Sequence, residues 1–209
     1  MKHILFLLLL TGSIFANIGN IMALKGKATL HRTSQQLPVQ SGMPILQGDK
    51  ISTSGKTRVQ IILKDDTIIT VGANSSISFD TFSYDGTKKS TIQMSSKRGF
   101  FRSVTGKIGK IAPERFMVKT SSATIGIRGT DFSVLQAHGI ERFTCHRGGI
   151  RVKIGNKVRD LAPGESFEFK SKKGPLTHDF EPKTYDVSDI TDGIEPNAPL
   201  DPGYFGYLD

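Results

Sequence analysis

The sequence predicts an all-β protein: many short strands closing into a sandwich or a β-solenoid-like roll, followed by a Pro-rich extended C-terminal tail. Three observations carry this expectation. From Gly26 to Lys170 apolar residues recur with a period of two, in short bursts separated by Gly, Asp, Asn and Ser, which is the pattern of half-buried strands. The three-and-four spacing that an amphipathic helix requires is scarce. Five of the nine prolines (Pro175, Pro182, Pro196, Pro199 and Pro202) lie within 171–209, which forbids a long helix there and disfavours a central strand. At 209 residues the chain suits one core rather than two.

Along the body, Val59, Ile61 and Leu63 alternate with Arg58, Gln60 and Ile62. Asp65-Asp66 then turns the chain, and Thr67 to Val71 returns as a hairpin partner. If the turn is a two-residue type I′ turn, both positions need positive φ, and Asp66→Gly should stabilise it by about 0.5–1 kcal/mol. Further bursts are Ile77 and Phe79, Ile92 and Met94, Phe116 and Val118, and Phe132 and Val134. Phe143 and Cys145, then Ile150, Val152 and Ile154, then Phe167 and Phe169 complete about a dozen strands. Strands this short must pair on both sides, hence the expected closure. Ile45-Leu46-Gln47-Gly48-Asp49 and Leu161-Ala162-Pro163-Gly164-Glu165 echo one another, and Gly48 and Gly164 supply the positive φ of a tight turn.

The two ends differ from the body. Residues 1–16 join a basic start, Lys2-His3, to an unbroken apolar run from Ile4 to Leu10 and reach the small residue Ala16. That is a secretory signal, too short to span a bilayer, with cleavage expected after Ala16 and a periplasmic or secreted destination without stable membrane insertion. Residues 171–209 carry three lysines and eight acidic side chains, net −5, whereas 17–170 carry 24 basic and 11 acidic side chains, net +13. The acidic tail, with Tyr185, Tyr204, Phe205 and Tyr207 as anchors, is expected to fold back on the basic body by an attraction that salt screens. The domain reading is therefore 1–16 signal peptide, 17–170 β domain and 171–209 tail.

Catalytic chemistry finds no foothold. One cysteine excludes an intrachain disulfide and a cysteine-based zinc site. His31, His138, His146 and His178 fall at no ligand or triad spacing, so no catalytic residue, metal or cofactor is expected. Cys145 and His146 are adjacent, and on a strand they point to opposite faces, so the imidazole cannot take the thiol's proton. Asp65 and Asp66 read as solvated turn residues. The densest positive stretch is Lys97-Arg98-Gly99-Phe100-Phe101-Arg102, interleaved with aromatics as in polyanion-tracking grooves. Export argues against nucleic acid as its target. Lys97, Arg98 and Arg102 stand as a basic face for an anionic envelope polymer or an acidic protein surface, with a solvated strand face as the bland alternative.

Residues 120–132 read Thr-Ser-Ser-Ala-Thr-Ile-Gly-Ile-Arg-Gly-Thr-Asp-Phe. This segment resembles the Thr-x-x-Ala-x-x-x-x-Arg-Gly-Thr-x-Phe signature of the FecR domain, a periplasmic sensing module. Gly26-Lys27-Ala28, Gly48-Asp49-Lys50-Ile51-x-Thr53, Asn74-Ser75-Ser76-Ile77, Gly148-Gly149-Ile150-Arg151-Val152 and Leu161-x-x-Gly164-Glu165 resemble its other motifs in order, across about 18–170. The family's Asp-Gly-Ser or Asp-Gly-Thr hairpin stands here as Asp65-Asp66-Thr67. Ala123, Ile125 and Ile127 share one face and should be core. Gly129 lets the backbone bend beside Thr130, and Arg128 either ties loop carbonyls together through its five donors or grips an anionic ligand.

The resemblance implies a non-catalytic sensing or scaffolding module that binds a protein partner in the cell envelope. The alternative is an envelope polysaccharide- or peptidoglycan-binding protein that uses a basic face. The transmembrane and anti-sigma segments of family regulators are not expected here.

Overall fold

The computed structural model describes residues 17–170; the expected signal segment, 1–16, and the tail, 171–209, lie outside the described residues. Sixteen strands, one four-residue helix and one 3-10 turn make up the described chain. Everything is organised about one long strand, β9 (Thr91–Val104). Its first half pairs with β8 (Ser76–Ser83) and β10 (Phe116–Lys119); its second half pairs with β7 (Ile68–Val71) and β12 (Asp131–Ala137). The parallel β9–β10 ladder is formed through a crossover that holds the helix α1 (Ile108–Ile111).

From that strand two ladders grow. One runs from β4 (Pro44–Leu46) through β1 (Asn17–Lys25), β6 (Arg58–Leu63), β7, β9 and β12 to β13 (Ile140–Arg147) and β16 (Ser166–Lys170). The other runs from β3 (Gln35–Pro38) through β2 (Ala28–Arg32), β5 (Lys50–Thr53), β8, β9 and β10 to β11 (Thr124–Ile127), β14 (Ile150–Ile154) and β15 (Lys157–Leu161). The hydrogen bonding is continuous through β9, so all sixteen strands form one open sheet that doubles over at that strand.

Burial follows the pleat. The strand β6 alternates half-buried and buried side chains without a break, and Val59, Ile61 and Leu63 are its inward set. Inward residues of both ladders join a single core whose largest members are Phe79, Phe101, Phe116, Phe132 and Phe143. Phe101 meets Phe132 edge-on, with centroids 6.0 Å apart. The period-two bursts of the sequence are therefore the core-facing sets of a sandwich-like roll, and Ala123, Ile125 and Ile127 are all buried.

More strands form than the dozen expected. Of the pieces that escape the periodicity, β1 has Gly19 in its buried row and a register shift after Ile21, and β2 to β5 are only three to five residues long with at most two buried apolar side chains each, so tertiary pairing rather than pattern holds them.

Candidate functional site

The basic stretch occupies the bend of β9. Ser96 pairs with Ile77 and, after a register shift at Lys97, Arg98 pairs with Ser76, whereas Gly99 already pairs with Gln136, so the strand changes ladders between Arg98 and Gly99. Gly99 has φ +85°, and a Cβ there would lie 2.2 Å from Ser75 Oγ and 2.4 Å from Ser75 Cα. Only glycine permits this crossing. The Ser75 hydroxyl accepts the Phe100 N–H at 2.8 Å, and Ser121 Oγ donates to the Lys97 carbonyl at 3.1 Å. Lys97 and Arg98 project into solvent at the bend.

The rest of the stretch serves the fold. Phe100 and Phe101 are buried, so neither offers a ring for stacking. Arg102 grips Asp131 with two parallel bonds, Nε to Oδ1 at 2.8 Å and Nη2 to Oδ2 at 2.7 Å, and both side chains are more than four-fifths buried. Of the three residues expected to form one basic face, two are presented and the third is committed to a cross-strand ion pair.

Beneath the bend lies a buried polar network that the sequence did not announce. Ser96 Oγ donates to Gln136 Oε1 at 2.7 Å, and the Gln136 amide reaches Glu141 Oε1 at 3.5 Å. Glu141 accepts Thr120 Oγ1 at 2.5 Å and the Ser122 N–H at 3.1 Å. A carboxylate only 5% exposed thus caps the 120–123 loop and holds it against the bend. The sole hint in the sequence was Glu141 at an inward position of an alternating strand.

Arg128 sits at the far end of β11, so the structure separates it from Lys97 and Arg98 by the length of that strand, ~13 Å for four residues. Its backbone is the lock: Arg128 N–H donates to the Gly149 carbonyl at 2.9 Å, and a Cβ on Gly148 would lie 2.0 Å from the Gly129 carbonyl oxygen. Thr130 closes the junction, donating its N–H to Thr105 Oγ1, while its carbonyl accepts both the Thr105 N–H and hydroxyl, all at 2.9 Å. The guanidinium is exposed and, among the described residues, makes no hydrogen bond; its charge helps hold the Asp160 carboxyl below the usual carboxylate range, after the larger effect of Arg151. The side chain therefore does not tie loop carbonyls together. The long, exposed arginine adds nothing that the backbone has not already secured.

The acidic pair at 65–66 departs from expectation. Leu63 N–H bonds to the Thr67 carbonyl and Asp66 N–H to the Leu63 carbonyl, both at 2.9 Å, which closes a three-residue loop rather than a two-residue one. Of the pair only Asp66 has positive φ, 65°. Asp65 is fully buried: it accepts the Thr67 N–H and hydroxyl at 3.2 and 2.8 Å and the Ile108 N–H at 3.2 Å, while Lys107 N–H bonds to its carbonyl at 2.7 Å. It pins the helix crossover to the hairpin. Burial pushes its carboxyl above the usual range, and those bonds offset part of the push.

The echoed turns match bond for bond. Asp49 N–H bonds to the Leu46 carbonyl and Leu46 N–H to Asp49 Oδ2; Glu165 N–H bonds to the Ala162 carbonyl and Ala162 N–H to Glu165 Oε2. Gly48 and Gly164, with φ +88° and +84°, each donate to the strand alongside, to Phe79 and Cys145. Both turns carry the chain from one ladder to the other. They are corners of the roll, and only the first is reinforced, by Arg32 bidentate to a buried Asp49.

Cys145 is buried beside Phe143, and burial pushes its thiol up; His146 lies on the opposite face with Nε2 2.9 Å from Ser133 Oγ. Burial, then the Arg102 charge, pushes the His146 imidazole down. Among the described residues no group of three His, Cys, Asp or Glu could hold a metal ion, and no helix is long and apolar enough to cross a membrane.

The solved structures similar to this chain include two crystal structures of a proposed anti-sigma factor from Parabacteroides distasonis ATCC 8503, at 2.50 and 1.65 Å resolution. Each is 20% identical, with TM-scores of 0.49 and 0.48. The likeness covers 60% of this chain and 56% of that one, so this chain spans little more than half the length of the solved relatives it matches. Comparison with curated protein sequences finds no match. The family described as FecR protein matches residues 49–151, from the buried Asp49 of the first corner to Arg151. Within that range fall the β9 bend, the Arg128-Gly129-Thr130 junction and Gly148. The matched segment is shorter than the 18–170 over which the motifs run, with Gly26-Lys27-Ala28 and the second corner outside it. Residues 49–151 of this all-β chain thus match the FecR family.

Proposed function

We propose that this chain is an exported, non-catalytic FecR module, residues 17–170, that senses or scaffolds by binding a protein partner in the cell envelope. The match to the FecR family over 49–151 carries the reading. What supports it physically is a rigid all-β platform whose recognition surfaces are loops and bends. Lys97 and Arg98 are the exposed cations at the best-braced of these, above the Glu141 network, and they are the residues on which we place the partner contact. Arg128, exposed at the other end of β11, would form a second and separate contact point.

The test is photo-cross-linking in intact cells from a probe at position 97 or 98, with mass spectrometry of the purified chain to locate its N-terminus. One discrete cross-linked protein, lost in the Lys97→Glu/Arg98→Glu variant, is the expected result, along with an N-terminus at Asn17. A cross-link pattern the same as that from a probe at Lys64, in the β6–β7 loop, would overturn the assignment of the bend. A chain retaining its first 16 residues would overturn cleavage and export as a processed protein.

A further inference from the structure

The outward side of the β3–β15 ladder has a chemistry that the basic stretch does not share. Register alignment places Lys50, Ser78, Ser95, Lys119, Thr124 and Lys153 directly opposite one another in sequence across β5, β8, β9, β10, β11 and β14. Each of the six flanks a buried core residue, so they form one unbroken row on the solvent face. With strands about 4.8 Å apart, Lys50 and Lys119 stand ~14 Å apart along the row and Lys119 and Lys153 ~10 Å.

Charge on this face is unbalanced. None of the three lysines forms an ion pair among the described residues. Of the two carboxylates close to the row, Asp160 is paired with Arg151 at 2.7 and 2.8 Å, while Asp80 accepts only a neutral hydroxyl, Ser95 Oγ at 3.2 Å, and keeps its charge, so the three lysines leave the face with a positive surplus that Asp80 reduces but does not cancel. Between the lysines lie small hydroxyls, and those of Ser78 and Thr124 hydrogen-bond to no other described residue. The row itself holds no aromatic or large aliphatic side chain; the exposed Val158 lies beyond its end, opposite Lys153.

We infer that this face binds a linear acidic polysaccharide of the uronic-acid type, laid across the strands. Lysine ammonium groups are mobile point charges suited to carboxylates at intervals along a chain. The free hydroxyls between them meet the hydroxyls of intervening sugar rings. A folded protein partner would want an aromatic, arginine or aliphatic anchor at the centre of its contact, and the row offers only Val158, at its end. The inference does not depend on the protein contact proposed at the β9 bend, which lies on other residues.

Titration of the full processed chain with polygalacturonate, with its neutral methyl ester and with poly-L-glutamate of matched charge decides the matter. Polygalacturonate should bind at low salt, weaken as salt rises, and exceed both other polymers. Lys50→Ala/Lys119→Ala/Lys153→Ala should weaken binding by about tenfold or more, whereas Lys25→Ala/Lys64→Ala/Lys110→Ala, which removes the same charge elsewhere, should change it less than about threefold. Melting curves check that both variants fold. Should the first melt early, Lys119→Gln alone, at an exposed position, carries the test with a loss of about threefold. Equal weakening by the two triple variants would reduce the effect to net charge and overturn the inference. Equal or tighter binding of poly-L-glutamate would assign the face to an acidic peptide, the chain's own 171–209 included. No polygalacturonate binding at low salt, or equal binding of the ester, would likewise overturn it.

Discussion

Asp65 and Asp66 show how neighbours of identical chemistry divide in role once a chain folds. Asp66 sits in the left-handed region at φ 65° and its carboxylate meets Lys107 at 2.9 Å with both side chains more than half exposed. Asp66→Gly removes the conformational strain and loses a surface ion pair of small worth, while glycine's greater freedom in the unfolded chain opposes the gain. The variant should be more stable by about 0.5 kcal/mol, the low end of what a type I′ turn would have implied, as read by chemical denaturation. A clear loss of stability would mean that the Lys107 contact matters more than its exposure suggests. Asp65 is a different case, because its buried carboxylate is the acceptor for three donors from two segments.

At the scale of elements, the bend of β9 and the corners of the roll are where the chain leaves one ladder for the other. Gly99→Ala would place a methyl group within 2.4 Å of the Ser75 backbone at a φ that alanine rarely adopts, so no side-chain rotation relieves it. We expect a loss of about 3 kcal/mol or more, or failure to fold, measured by thermal melting. The two corners make a controlled pair. Asp49→Ala strips a 1%-exposed carboxylate from Arg32 and from Leu46 N–H, and should cost about 3 kcal/mol. Glu165→Ala removes the corresponding bond in an exposed turn and should cost less than about 1 kcal/mol. Similar losses in the two would show that the turn geometry, rather than the burial of its acid, sets the energy.

At the scale of the whole molecule, His146 and Asp65, two of the groups with displaced proton affinities, contribute opposing slopes in stability against pH. Burial lowers the His146 pKa below its ordinary 6.5, so between that value and its folded value the unfolded chain binds more protons than the native one. Stability therefore falls as pH drops below 6.5. Asp65 acts in the other sense, because its carboxyl is raised above 3.8: the native state takes up that proton first, and stability is gained as pH falls toward that region. His146→Gln keeps a side chain able to reach Ser133 and carries no titrating charge, so it should flatten the decline just below pH 6.5 in urea titrations. An unchanged slope would place the titrating group elsewhere.

Period-two patterning was enough to specify an all-β fold and the part of its core that lies on the longer alternating strands, because a strand's side chains alternate by geometry whatever it pairs with. Val59, Ile61, Phe79, Phe132 and Phe143 were legible for that reason, whereas Ile18, Leu30, Ile51 and Phe101 lay outside the alternating bursts. Glycine turns were legible too, since positive φ is a property of the single residue; the echo of Gly48 and Gly164 was already on the page as sequence. What periodicity could not decide was which strands lie side by side. Whether Arg102 meets solvent or Asp131, whether Asp65 is a turn tip or a buried anchor, and whether Lys50, Lys119 and Lys153 share a row all depend on contacts between residues tens of positions apart. Those contacts arise from long-range pairing, in which a single step of register moves every side chain to the other face. Local chemistry therefore settled the type of structure, and only the pairing of the strands settled which charges were left for a partner.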